Sequence, residues 1–100
     1  MAEHKEILCL RELILDEAKT NICGQRELDY GSAESNFGII ANMWSEYLGT
    51  KVTPVDVAML MVLLKVARIK NGGGSGDSFV DIAGYAACGG EIWHDTSASQ

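Results

Sequence analysis

The sequence predicts an all-α protein, a compact bundle of about four helices. Three observations carry this. Apolar residues recur at helical spacing along most of the chain. The punctuation between those stretches is of helix-ending and helix-starting type. No segment shows the apolar–polar alternation of a half-buried strand.

The first helix is expected over residues 3–22, where Ile7, Leu8, Leu10, Leu13, Ile14, Ala18 and Ile22 mark one face. Gly24 ends it as a C-terminal cap. A polar connection over 25–31 follows, closing in Tyr30-Gly31. Ser32 caps a second helix, with Glu34 placed to complement the helix dipole. That helix runs through Phe37, Ile40, Met43, Trp44 and Leu48 and stops at Gly49. Thr53-Pro54-Val55-Asp56 starts the third: threonine at the N-cap, proline at the first position, aspartate reaching back.

The third helix, about 54–70, contains the run Val57 to Leu64 and is apolar on every side. It is expected at the centre of the bundle with a subunit interface on one flank, since such a helix must be surrounded. The loop Asn71 to Gly76 has almost no side chain to pack. A fourth helix, about 78–92, is rich in alanine and glycine, which allow close approach. Residues 1–92 thus form one domain, and 93–100 a loose C-terminal tail.

Composition narrows the function. One hundred residues, 47% of them hydrophobic, suit one ordered domain whose modest core gains from homo-oligomerisation. The net charge of −6 repels nucleic acid and anionic membranes, so neither is an expected partner. The longest apolar run, eight residues, is far short of a membrane span. Cys9, Cys23 and Cys88 lack zinc spacing and read as buried reduced thiols, which fits a cytoplasmic setting.

The charged and polar residues beside the apolar runs are the candidate site. Asp77, Asp81 and Tyr85 fall on one stripe of the fourth helix. Either Asp77 caps that helix and Asp81 pairs with Arg68, or the two carboxylates hold a divalent metal or a polar ligand. Lys65 and Arg68 share a helix face, where they complement the dipole or clamp a phosphate. Arg26, Asp29 and Tyr30 lie in a connection, where a ligand contact costs little packing. Asn36 and Trp44, eight apart, face the same side; Trp44 reads as core before it reads as a platform for a base. Asp56 is explained by capping. The loop Gly72 to Gly76 is not followed by Gly-Lys-Ser/Thr, so it is not a Walker motif. No Ser-His-Asp or Cys-His arrangement stands out.

The string Arg26…Asp29-Tyr30-Gly31, Asn36-Phe37, Trp44, Asp56-Val57-Ala58, Lys65-Val66-Ala67-Arg68 and Asp77-Ser78…Val80-Asp81-Ile82-Ala83-Gly84-Tyr85 resembles a family of small phage and prophage proteins of unknown function. The resemblance covers about residues 10–92. More distantly, the helix order is similar to the all-α nucleotide pyrophosphohydrolases of the MazG and dUTPase type. That likeness implies a helical oligomer that binds magnesium through acidic residues on two helices. Those enzymes carry Glu-x-x-Glu and Glu-x-x-Asp, whereas this chain offers Glu34 and Glu46 twelve apart, then Asp77 and Asp81.

The balance of three basic groups against few well-spaced carboxylates favours holding a phosphate over cutting one. The expected function is nucleotide binding, with sequestration of a cyclic or linear nucleotide signal of host defence in the infected cell's cytoplasm. In that reading Arg26, Lys65 and Arg68 take phosphate. Asp29, Asn36 and Asp81 take base or ribose, Asp77 adds a polar contact, and Tyr30 or Tyr85 stacks. Binding requires no cofactor. One alternative is a Mg2+-dependent pyrophosphohydrolase with Asp77 and Asp81 on the metal; another is a helical interaction protein with no small ligand.

Overall fold

A computed structural model describes residues 9–24, 31–72 and 76–98, and these residues form four helices and no strand. Helix α1 spans Leu10–Ile22, α2 Ala33–Leu48, α3 Pro54–Lys70 and α4 Asp77–Ala98.

The helix ends follow the side-chain chemistry. Ser32 Oγ accepts the Ser35 N–H at 3.1 Å and starts α2. Gly49 closes α2 in the left-handed region at φ 72°, donating its N–H to Ser45 O at 2.9 Å. At the start of α3, Thr53 Oγ1 accepts the Asp56 N–H at 3.1 Å, and Asp56 Oδ2 accepts the Thr53 N–H at 2.9 Å. Together they satisfy two donors that the first helical turn would otherwise leave open.

The core joins Phe37 and Ala41 of α2, Val52 of the following turn, Val57 and Ala58 of α3, and Ile92 of α4. Val57 and Ile92 are its largest fully buried side chains. Trp44 and Tyr85, both half-buried, pack against its edge, as expected of Trp44 as a core residue.

Three expectations change. The central helix is α4, which packs on each of the other three, most extensively on α3. The reason lies in its small residues. A Cβ added at Gly89 would stand 2.9 Å from Ala58 Cβ of α3, and one added at Gly84 would stand 3.1 Å from Ile22 Cγ2 of α1. Glycine at these points lets two helices close on α4 from different sides. Helix α3, apolar on every side from Val57 to Leu64, has only one side covered. Second, α4 continues to Ala98, past Ile92 where its end was expected; Ile92 is anchored in the core and no proline or glycine follows. Third, Cys9 and Cys23 are exposed at the two ends of α1 and only Cys88 is half-buried, with no disulfide among them.

No helix among the described residues is long and apolar enough to cross a membrane.

Candidate functional site

A cleft of about 480 Å³ opens where three helices meet. Its first wall is the last turn of α1, with Thr20, Asn21 and Ile22. The second is the start of α2, with Gly31, Ser32 and Ala33 leading into it and Asn36 and Phe37 in its first turns. The third is one stripe of α4, from Val80 and Asp81 through Gly84 and Tyr85 to Cys88.

Each wall has a local cause. Gly31 adopts φ +82°, a conformation that side chains disfavour, and this turns the chain into the Ser32 cap. The capping geometry fixes the register of α2, so Asn36 and Phe37 face inward together. On α4, residues 81, 84, 85 and 88 are spaced three and four apart and so share one face.

The cleft has an aromatic floor and a polar rim. The Phe37 and Tyr85 rings lie 6.2 Å apart between centroids and tilt by 34°, a spacing at which aromatic pairs attract. Thr20 Oγ1 already donates to Asp16 O at 3.1 Å, leaving an acceptor for the cleft. The Asn36 amide and the Tyr85 hydroxyl make no hydrogen bond among the described residues, and no buried side-chain polar atom there is left unsatisfied. Both groups are therefore served by solvent and can exchange it for a ligand.

Asp81 is the one ionised side chain among the described lining residues. Its Oδ2 lies 3.0 Å from Lys65 Nζ of α3, a half-buried pair. Lys65 takes the role expected of Arg68 because its face of α3, shared with Ala58, Met61 and Val62, turns toward α4. Arg68 is exposed on the flank and lines no wall of the cleft. Asp77 stands exposed at the first position of α4, and no group of three metal-binding side chains occurs among the described residues.

Of the expected site, the fold thus gathers Asn36, Asp81 and Tyr85 into the cleft with Lys65 behind them. Arg26, Asp29 and Tyr30 lie outside the described residues, though Ile22 and Gly31, on either side of their connection, both line the cleft. Sequence reasoning missed Thr20, Asn21 and Cys88. A polar pair at the last turn of α1 gives no periodic signal, and only the close approach at Gly84 brings it to the site.

A family model described as a domain of unknown function, DUF6378, matches residues 13–93. The chain belongs to the DUF6378 family. It is 44% identical over 86 residues to the Gene 55 protein of Mycobacterium phage D29, covering 86% of this chain and 57% of that one. With the Gene 55 protein of Mycobacterium phage L5 the identity is 50% over 74 residues, 73% of this chain and 47% of the relative. The chain spans about half the length of these curated relatives. No solved structure matches it. The DUF6378 match runs from α1 into α4 and so takes in all three walls of the cleft. The resemblance to small phage proteins holds at this level.

Proposed function

We propose that this DUF6378 chain binds a nucleotide in the cleft between α1, α2 and α4 and holds it intact. The observation that carries the reading is the pairing of an aromatic floor with two unengaged polar groups, the Asn36 amide and the Tyr85 hydroxyl. Tyr85, half-buried, offers its ring to a base, with the buried Phe37 ring 6.2 Å away supporting it. The Asn36 amide, which both donates and accepts, and the Asp81 carboxylate suit a base edge or ribose hydroxyls. Phosphate is assigned to the mouth of the cleft beside Ser32 and Ala33, at the N-terminus of α2. Lys65 offsets the charge of Asp81, so an anionic ligand does not meet a bare carboxylate.

Magnesium belongs to the hydrolytic alternative only, in which Asp77 and Asp81 would hold it. The engagement of Asp81 by Lys65 favours retention over hydrolysis. A phage protein that holds a nucleotide without breaking it lowers the free concentration of that nucleotide in the host cytoplasm. The relatives are phage gene products, and we propose that the nucleotide held is a signal of host defence.

The test is thermal unfolding against a panel of linear and cyclic nucleotides, with and without Mg2+, followed by chromatography of the bound fraction. A ligand that binds only the folded state raises the melting temperature. At least one nucleotide is expected to do so and to be recovered unchanged. Asn36→Ala and Asp81→Asn should each weaken it by about tenfold or more, the cost of a lost hydrogen bond to a polar or charged partner. A flat response across the panel would sink the proposal, and recovery of cleaved nucleotide would replace it with the hydrolytic alternative.

A further inference from the structure

Helix α3 leaves one side uncovered, and that side is patterned. Asp56, Leu60, Leu63, Ala67 and Lys70 are all exposed and follow one another at spacings of four, three, four and three. This is the a/d rhythm of a helix that packs lengthwise against another helix. Met59, Leu64 and Val66 flank the seam, and the five large apolar side chains here are between 42% and 60% exposed. A contiguous apolar strip of that kind is uncommon on a monomer.

The charges at its ends indicate what covers it. An acid, Asp56, opens the strip and a base, Lys70, closes it, fourteen positions and about 21 Å away along the axis. Leu63 stands midway. A second α3 laid antiparallel across a two-fold axis at Leu63 sets Asp56 against Lys70 of the other copy at both ends. The same register sets Leu60 against Val66, Met59 against Ala67, and Leu63 against itself. A parallel arrangement would instead bring like charges together. Self-complementarity in reverse order is what an isologous contact requires, and a partner helix of unrelated sequence would not call for it.

We infer that α3 is the dimerisation helix of this protein, pairing antiparallel with its copy about Leu63. Helix α3 contributes no wall to the cleft, so the dimer leaves the cleft open and does not depend on the nucleotide proposal.

Sedimentation velocity over a concentration series tests the inference. The wild-type chain is expected to be a dimer that dissociates on dilution. Leu63→Glu should give a monomer with an unchanged helical circular dichroism signal, because the side chain is 60% exposed in the monomer. Lys70→Glu, which faces Asp56 with a like charge twice per dimer, should raise the dissociation constant about tenfold. With Cys9 and Cys23 replaced by serine, Leu63→Cys should cross-link to its own copy under mild oxidation; this arm decides if Leu63→Glu loses helicity. A monomeric wild type, a Leu63→Glu chain that still dimerises, or a Lys70→Glu chain that associates like wild type would overturn the inference.

Discussion

Ser45 holds the turn between α2 and α3 from inside a helix. Its Oγ donates to Ala41 O at 2.7 Å, one turn back, and accepts the Val52 N–H at 2.8 Å from beyond the turn. Val52 is buried, so its amide has no easy route to water. Ser45→Ala should therefore cost about 1–3 kcal/mol, the penalty of an unsatisfied donor. In a thermal melt that is a drop of roughly 4–8 °C per kcal/mol for a domain of this size. Thr20→Ala, which loses an exposed bond to Asp16 O, should stay within about 0.5 kcal/mol. Nothing in the sequence marks Ser45, because a mid-helix serine looks neutral until the chain returns to it seven residues later. Thr53 and Asp56 were legible for the opposite reason: a capping box is complete within four residues. The same division runs through the cleft. Asn36, Asp81 and Tyr85 each stood out as polar or aromatic groups beside apolar runs. Which basic residue meets Asp81 depended on the rotation of α3, and that angle selects Lys65 over Arg68.

At the scale of elements, apolarity and approach proved to be separate signals. The run Val57 to Leu64 shows that α3 needs cover, but it does not say which neighbour supplies it. The glycines of α4 carry that information, and two adjacent ones carry it differently. A Cβ at Gly89 meets Ala58 Cβ at 2.9 Å and Met59 Cε at 3.3 Å, while one at Gly90 meets nothing within 4 Å. Gly90→Ala should stabilise the protein by about 0.5–1 kcal/mol through helix propensity alone. Gly89→Ala gains the same propensity but forces α3 and α4 apart, an overpacking cost of about 1–3 kcal/mol. Its net effect is expected to be a loss of about 1 kcal/mol. Urea unfolding of the two variants side by side separates them, and equal effects would mean that the helices do not meet closely at Gly89. The glycine-rich composition of this helix was plain from the sequence. Which glycine meets a neighbouring helix required knowing how α4 is rotated between its neighbours.

For the whole molecule, the arrangement sets two surfaces on different elements. The cleft belongs to α1, α2 and α4, and the uncovered strip to α3. Two sets of contacts join α3 to the cleft walls: Lys65, on the side facing α4, reaches Asp81, and Val57 and Ala58 share with Phe37 the core cluster against which Tyr85 and Cys88 pack. Leu63 lies two positions from Lys65 but points the other way, so disrupting the strip leaves the ion pair in place. Binding and dimerisation should then be nearly uncoupled. The dissociation constant of a nucleotide measured by calorimetry should agree within about twofold, roughly 0.4 kcal/mol, between the wild-type dimer and Leu63→Glu. Lys65→Met should act in the reverse sense. Removing the cation leaves Asp81 uncompensated in the cleft, so an anionic ligand should bind more weakly while the dimer persists. A nucleotide affinity that collapses in the Leu63→Glu monomer would mean that the second copy helps to build the cleft, because a coupling free energy between two equilibria is reciprocal. The site would then have to be redrawn across both chains, with the exposed Arg68 on the flank of α3 the first cation to place in it.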